Sequence, residues 1–439
     1  MLVPHDMNGQ TVGVLGLGGS GVAAVAALRA AGAHVVAFDD GKYQQDLQAI
    51  QMTDWRDWPW QDMAAMVISP GIPHLHPKPH PAAAHANSLQ IDVISEVELA
   101  LRAKPKAQLV VVTGTNGKST TTALIGHCLA TAGRAHAIGG NLGEPACSLD
   151  DPGKDGVLVL ELSSYQLETT PSLAPDISIL LNISPDHLDR HGGMNGYIAA
   201  KAVVLDRLGA DCLAIIGDGD EHVKALAAAT RKRGIKTMIA SPDDAPDAQR
   251  HSASLAGLHN AENAAAAAFA LATLGLDMAM INRGVKSYSS LPHRLQTVAR
   301  CGKIQFVNDS KATNGVAAAK ALSAFDDIYW VAGGLAKQDG LAPAMQHLGA
   351  VKKAYLIGTA AAEFAKSLDG QCPAAICGDL EKATRAAFDD ASAAIDGGTI
   401  LLAPAAASFD QFTSFGARGD AFAALAENLC ATIAGGNHA

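Results

Sequence analysis

Leu109-Val110-Val111-Val112-Thr113-Gly114-Thr115-Asn116-Gly117-Lys118-Ser119-Thr120-Thr121-Thr122-Ala123-Leu124 is the stretch on which the reading of this chain turns. Leu109 to Val112 are β-favouring and predict a buried strand. A glycine-containing turn, Thr113 to Gly117, follows, and Lys118-Ser119-Thr120 opens a helical run. Strand, glycine loop and helix N-terminus together form an anion site, because backbone N–H groups converge there and the helix dipole favours negative charge. Gly114 and Gly117 permit close backbone approach. Lys118 reaches the outer phosphates of a nucleotide, and Ser119 or Thr120 offers a hydroxyl to Mg²⁺. Val112 stands where the usual phosphate loop has its first glycine. The stretch predicts a nucleoside triphosphate site.

Working outward, the N-terminal segment places Thr11 to Leu15 before Gly16-Leu17-Gly18-Gly19-Ser20-Gly21. An alanine-rich helix to about Ala31 and a strand, His34 to Phe38, lead to Asp39. This is a dinucleotide-type turn in a βαβ setting, with an acidic residue roughly 20 positions on. The glycines specify a diphosphate cradle, which suits NAD and a nucleotide diphosphate sugar alike. A third strand, Ala65 to Ile68, runs into Ser69-Pro70-Gly71-Ile72-Pro73, at the carboxyl end where open α/β sheets bind ligands. The segment carrying His74, His76, His80 and His85 holds several prolines and is expected to be an irregular surface loop, not a metal site.

Beyond the central loop, Val157 to Leu160 ends at Glu161, where nucleotide enzymes often place a carboxylate for Mg²⁺; a plain strand-terminal glutamate is the alternative. Ile177 to Asn182 precedes Asp186-His187-Leu188-Asp189-Arg190-His191, which suits a metal, a phosphate or a capping turn. Lys201 lies in an apolar helix, Met194 to about Leu208, and on its own is expected to snorkel to water. Asn260 and Asn263 open an alanine-rich helix running to Leu274. The last third repeats the βα rhythm. Ile304 to Val307 leads into Asn308-Asp309-Ser310-Lys311-Ala312-Thr313-Asn314, and Ile400 to Leu402 precedes Ser408-Phe409-Asp410-Gln411-Phe412. Both polar runs follow buried strands, as a site for a small zwitterion or phosphate requires.

The 439 residues predict several domains, with boundaries expected at 1–97, 98–289 and 290–439. A net charge of −10 and the lack of a basic run argue against nucleic acid. There is no apolar run of about 18 residues to span a membrane and no signal pattern. Seven cysteines, with Cys372 and Cys377 the one close pair, do not read as a disulfide framework. A cytoplasmic location follows.

Taken together, these blocks resemble the Mur ligases, ATP-dependent amide-forming enzymes of peptidoglycan precursor synthesis. The resemblance runs the length of the chain. It rests on Thr113 to Thr120, Gly139-Gly140-Asn141-Leu142-Gly143, Glu161-Leu162-Ser163-Ser164-Tyr165-Gln166-Leu167-Glu168, Asp186 to His191, Asn308 to Asn314 and Ser408 to Phe412. It implies an α/β protein of three domains: an N-terminal Rossmann-like domain, a central P-loop-type ATPase sheet and a C-terminal Rossmann-like domain. Within the family it points to the D-glutamate-adding branch. The implied substrates are ATP, UDP-N-acetylmuramoyl-L-alanine and D-glutamate, with two Mg²⁺ ions, in a monomer with no nucleic-acid or membrane partner.

Carried over residue by residue, Gly114, Thr115, Asn116, Gly117, Lys118, Ser119 and Thr120 would bind ATP phosphates, and Asn260, His293, Arg294 and Asp309 the rest of the nucleotide. Ser119, Thr120, Glu161, His187 and an N-carbamylated Lys201 would hold the metals; carbamylation turns a cation into an anionic ligand. Lys118, Glu161, His187 and Lys201 would form the catalytic set. The UDP substrate would meet Gly16, Leu17, Gly18, Gly19, Ser20, Asp39, Ser69, Pro70, Gly71 and Asn141. Lys311, Thr313, Lys337, Ser408, Phe409 and Phe415 would receive D-glutamate. The chain departs from the family at Leu335, where an aspartate is expected, while Lys337 stays in register. An NAD-dependent oxidoreductase would account for Gly16 to Gly21 and Asp39 but leaves the central loop idle. A non-catalytic nucleotide-binding regulator leaves the polar runs of the last third unexplained.

Overall fold

The computed structural model describes residues 1–41, 51–52, 54–336 and 340–436. Alternating strands and helices build three main sheets. In the first, β1 (Thr11–Leu15), β2 (His34–Phe38), β3 (Gln51–Met52), β4 (Met63–Ile68) and β5 (Asp92–Ile94) lie in the order β3-β2-β1-β4-β5, all parallel. Helices α1 (Gly19–Ala30), α2 (Pro81–Ser88) and α3 (Glu96–Arg102) accompany it. The order reverses beside β1, so the glycine turn after β1 and the Ser69–Pro73 turn after β4 open on the same edge.

The second sheet has the order β11-β10-β9-β6-β8-β7 and is parallel throughout. Its strands are β6 (Gln108–Thr113), β7 (His136–Gly140), β8 (Val157–Glu161), β9 (Ile177–Leu180), β10 (Leu213–Gly217) and β11 (Lys236–Ala240). Helices α4 (Lys118–Thr131), α5 (Ser164–Glu168), α6 (Met194–Asp206) and α7 (Glu221–Lys232) connect them, with α8 (Leu258–Thr273) and α9 (Met278–Ser287) following. Val110 to Val112 and Val157 to Leu160 are fully buried, as continuous apolar runs must be in a sheet covered on both faces.

The third sheet has the order β12-β13-β18-β14-β16-β17. It comprises β12 (Gln296–Cys301), β13 (Ile304–Asn308), β14 (Ile328–Gly333), β16 (Val351–Ile357), β17 (Ala374–Gly378) and β18 (Gly398–Leu402). The β12–β13 pair is antiparallel and the other pairs are parallel. A short antiparallel ladder joins β15 (Leu335–Ala336) to β19 (Ala406–Ala407). Helices α10 (Gly315–Leu322), α11 (Ala361–Leu368), α12 (Leu380–Ala393) and α13 (Phe415–Gly436) complete this part. One core cluster gathers Trp330, Leu356, Phe364 and Leu401, and another gathers Phe306, Tyr355, Phe388 and Phe422. Alternate strand residues thus pack on opposite faces.

Contacts divide the chain into two compact units, residues 1–249 with 261–287, and residues 250–260 with 288–439. The first unit therefore holds the first two sheets. Residue 97 falls inside α3, whose Glu96, Val97 and Glu98 are all buried.

Two expectations are corrected. The histidine-rich segment is not wholly irregular: His85 lies on α2, and the His80 ring nitrogen Nδ1 caps that helix by accepting from Ala82 N. Pro81 at the first turn starts a helix where proline is tolerated, so the prolines here mark a helix entry. The rings of His80 and His85 pack against Trp55, and His85 also packs against Trp60. The cysteines are not all free: Cys301 on β12 and Cys430 on α13 are joined by a disulfide, while Cys372 and Cys377 are free thiols. A separation of 129 residues hid the bridge from any reading of close spacing.

Candidate active site

β6 ends at the middle of its sheet, and the loop after it is shaped by Gly114 (φ 151°) and Gly117 (φ 87°), both in the region that favours glycine. Asn182, just past the neighbouring strand β9, pins this loop. Its carbonyl accepts from Thr115 N at 2.8 Å, its side-chain oxygen accepts from Asn116 N at 2.9 Å, and its amide donates to Asn116 O at 3.1 Å. A Cβ at Gly117 would collide with the side chain of Asn263 on α8, so the helix-capping glycine is also sterically required. Lys118 folds back over the loop and donates to Gly114 O and Thr115 O, each at 2.9 Å.

Lys201 does not snorkel. It is 2% exposed, and its Nζ donates to the same Gly114 carbonyl at 2.8 Å and lies 4.8 Å from the Tyr197 ring centroid. Burial, and next the nearby Lys118 cation, push its pKa well below the ordinary lysine range; Asp186 and Glu161 oppose this only partly. Glu161, at the end of β8, is 1% exposed. One of its oxygens accepts from Asn141 Nδ2 at 2.8 Å, and the other, Oε2, is buried with no hydrogen-bond partner. A buried carboxylate oxygen left in that state is costly unless something electropositive meets it.

His187 adopts a left-handed conformation (φ 52°), which turns its half-exposed ring toward Tyr165, at 5.4 Å between centroids, and 3.5 Å from Asp186. These residues line one pocket of about 220 Å³, formed by Pro70, Gly71, Thr115, Lys118, Asn141, Ser163, Ser164, Tyr165, Asp186, His187, Tyr197 and Lys201. Its Pro70–Gly71 wall comes from the first sheet, and the remainder comes from the second. Arg190 fastens the two: its guanidinium donates to Gly71 O (3.0 Å), Ile72 O (3.1 Å) and Pro70 O (3.3 Å) while lying 4.5 Å over the Tyr165 ring. Sequence reading gave no role to Ser163, Ser164, Tyr165, Tyr197, Arg190 or His191, and to Asp186 only a place beside His187 or in a capping turn. All but Tyr197 sit in the quoted blocks, and that clustering was the signal available.

At the first sheet, the glycine turn is drawn tight. Gly16 has φ 87°, Ser69 Oγ donates to Gly16 O at 2.9 Å, and Asp39 accepts from Leu17 N at 2.6 Å and Gly41 N at 2.8 Å. Gly18 and Gly19 have open space where a Cβ would be. This group lies outside the pocket lining.

The other site residues belong to the second unit. Asp309 is half-buried, accepts from Leu295 N at 3.2 Å and has its pKa pushed up to about 7 by desolvation. His293 Nδ1 lies 3.1 Å from the Asn308 amide, and its ring meets Phe415 edge-on. Lys311 Nζ is 4.1 Å over the Phe415 ring. Ser408 is 2% exposed with its hydroxyl unpartnered, whereas Phe409 is 71% exposed. Asn260 donates to Ala256 O at 2.9 Å. Thr313 follows in the same turn, its N–H bonded to Lys311 O at 2.8 Å. Lys337 lies outside the described residues. Arg418, which sequence reading missed, is 1% exposed and ties the loops together. It donates to Ser310 Oγ (3.0 Å), Ser310 O (2.9 Å), Ala406 O (3.1 Å) and Gly333 O (3.4 Å), and burial lowers its pKa to about 10.

Among the described residues no three His, Cys, Asp or Glu side chains converge to hold a metal. No helix among them is long and apolar enough to cross a membrane.

A family model described as the Mur ligase middle domain matches residues 112–271, and one described as the Mur ligase, glutamate ligase domain matches residues 293–406. The chain is similar to the UDP-N-acetylmuramoylalanine–D-glutamate ligase of Caulobacter sp. (strain K31), 42% identical over 98% of each chain. It is 44% identical to the protein of that name from Paramagnetospirillum magneticum, over 96% of this chain and 97% of the other. Among solved structures, UDP-N-acetylmuramate–alanine ligase from Thermotoga maritima shares the fold with a TM-score of 0.59 at 16% identity, covering 95% of this chain and 99% of that one. The MurF ligase of Thermotoga maritima, solved with ADP, gives 0.58 at 16% identity over 99% and 98%. With matched domains in this order and relatives this similar over nearly its whole length, the chain belongs to the Mur ligase family.

Proposed function

We propose that the chain is an ATP-dependent ligase that joins D-glutamate to the L-alanyl carboxylate of UDP-N-acetylmuramoyl-L-alanine through an acyl phosphate. One observation carries this reading. Two lysines, Lys118 and Lys201, converge on the Gly114 carbonyl, close to the unpartnered Glu161 oxygen, in a pocket whose far wall is the Pro70–Gly71 turn. Phosphoryl chemistry and a substrate held by the first sheet can therefore meet in one cavity.

In this reading residues 1–97, 98–289 and 290–439 are three domains serving the UDP substrate, ATP and the amino acid. Gly16 to Ser20, Asp39 and Ser69 to Gly71 receive the UDP moiety, and Asn141 the muramoyl portion. The loop Gly114 to Thr120 cradles the ATP phosphates, with Lys118 offsetting charge on the group in transit. Asn260, His293, Arg294 and Asp309 receive the rest of ATP; Lys311, Thr313, Lys337, Ser408, Phe409 and Phe415 receive D-glutamate. The unpartnered Ser408 hydroxyl suits a ligand carboxylate.

The site fits Mg²⁺, which binds proteins through one or two carboxylates plus substrate phosphates instead of an all-protein cage. Ser119, Thr120, Glu161, His187 and a carbamylated Lys201 would hold two ions. When bound, Mg²⁺ neutralises charge spread over the phosphate oxygens. A buried, neutral Lys201 amine is the form that takes up CO₂ to become a carbamate. The protein is read as a cytoplasmic monomer acting on small molecules.

The test is phosphate release from ATP and Mg²⁺ with UDP-N-acetylmuramoyl-L-alanine, offering D-glutamate, L-glutamate and other amino acids separately. Release with D-glutamate alone is expected. Release with another amino acid would move the specificity, and no release with any of them would overturn the reading.

A further inference from the structure

Ligation through an acyl phosphate needs the amino-acid nitrogen to lose a proton before it attacks, and the residues assigned so far do not supply the acceptor. A hydrogen-bonded line of three side chains ends at the pocket. Glu168 Oε1 lies 3.0 Å from His191 Nδ1, and His191 Nε2 lies 2.9 Å from Ser164 Oγ. Ser164 lines the pocket beside Lys118, Lys201 and Asn141. A carboxylate only accepts, so His191 Nδ1 donates to Glu168; the neutral ring then presents the Nε2 lone pair, and the Ser164 hydroxyl donates to it.

The His191 side chain is fully buried and its ring cannot turn away. It stacks on Tyr165 at 5.2 Å with planes 11° apart, and Tyr197 closes the other side at 5.3 Å. A buried, oriented imidazole backed by a carboxylate and facing a hydroxyl is built to accept a proton through that hydroxyl.

We propose that Ser164, His191 and Glu168 form the proton-accepting arm of the ligation, with Ser164 touching the incoming amine and His191 and Glu168 acting through it. This rests on the ligase reading above. The α-ammonium gives one proton to Ser164 Oγ while Ser164 gives its own to His191 Nε2, so nitrogen gains the lone pair that forms the C–N bond. The C–O bond to phosphate then breaks. Phosphate leaves with that electron pair and the second nitrogen proton, and the amide keeps the third. The imidazolium is stabilised by Glu168 and afterwards returns its proton to solvent.

The charged and titratable groups around His191 are Glu168 and Tyr165 on α5, Tyr197 on α6, His74 from the turn after β4, and the adjacent Arg190. His74 Nε2 stands 3.7 Å from the second Glu168 oxygen, but burial lowers its pKa, which leaves the Glu168 charge to His191.

The experiment compares two nucleophiles on the full-length protein. Hydroxylamine is unprotonated at neutral pH and traps an acyl phosphate as a hydroxamate without needing a base. His191→Gln should lose D-glutamate ligation on the order of 10²-fold or more while forming hydroxamate at the wild-type rate. Ser164→Ala, which leaves His191 on Glu168, should show the same split. Equal loss with both nucleophiles, or loss with neither, overturns the relay. A wild-type protein that releases no phosphate with D-glutamate overturns the ligase reading and the relay together, so the two failures are told apart.

Discussion

Lys201 is the residue whose surroundings say most about its work. An amine at 2% exposure, bonded to a single carbonyl and repelled by Lys118, has little reason to be lysine for packing alone. Lys201→Ala is expected to cut ligation on the order of 10²–10³-fold, and short carboxylic acids added to the assay should restore part of it by standing in for the carbamate. Full activity in the variant would remove Lys201 from the metal set. Periodicity alone put this side chain at the surface, because a lysine in an alanine-rich helix looks like any solvent-facing lysine. Only the resemblance moved it inward, and the structure buries it. Glu96 was equally illegible. It reads as the acidic first turn of a helix, yet it is buried and accepts from Ala146 N and Cys147 N at 3.3 and 3.1 Å. Burial raises its pKa from 4.5 to about 7, so the folded protein holds this proton over a range in which the unfolded chain has released it. The stability this provides is complete below the unfolded pKa and fades as pH rises through about 7. Relative to Glu96→Gln, the wild type should lose about 3 kcal/mol as pH rises from below 4.5 to above about 7. Thermal midpoints of both proteins across that range check the sign.

At the scale of elements, the strands that carry the site were legible because they are buried on both faces. β1, β6, β8, β13, β14 and β18 are short apolar runs, and all but β18, which leads into Ala403-Pro404, end where a glycine or polar residues begin. β7, β11, β12 and β17 were missed: all lie at sheet edges, where partial exposure relaxes the demand for large or β-branched apolar side chains and leaves small or polar residues in their place. β17, for instance, alternates exposed and half-buried positions. The connections that aim the site were also hidden, because they depend on which loops meet. Asp220 illustrates this. One oxygen caps α7 by accepting from His222 N and Val223 N, and the other accepts from Ile183 N, just after β9. The same side chain thus starts a helix and steadies the loop that leads to Asp186 and His187. Asp220→Ala should destabilise the protein by about 1–2 kcal/mol, the usual range for a lost cap. The checks are a fall in thermal midpoint and a rise in KM for ATP, since that loop borders the phosphate site. An unchanged KM would confine Asp220 to its capping role.

For the molecule as a whole, composition and charge limited the class of protein, and the succession of strand, glycine turn and helix was enough to expect parallel α/β sheets. The distribution of the site over separated blocks was legible from the same turns. The line from Glu168 through His191 to Ser164 was not, since nothing in the sequence says that the end of α5 and a turn 23 residues further on close on each other. Nor did the cysteine count disclose the bond between Cys301 and Cys430. That bond has a topological consequence. It joins the first strand of the second unit to its last helix, so the intervening chain is a covalent ring. A protease that nicks this ring once, at any exposed turn between the two cysteines, opens it without releasing either piece. Such a nicked protein should run as one species on a denaturing gel without reductant and as two fragments once thiol is added; two fragments in both lanes would mean that the ring is open.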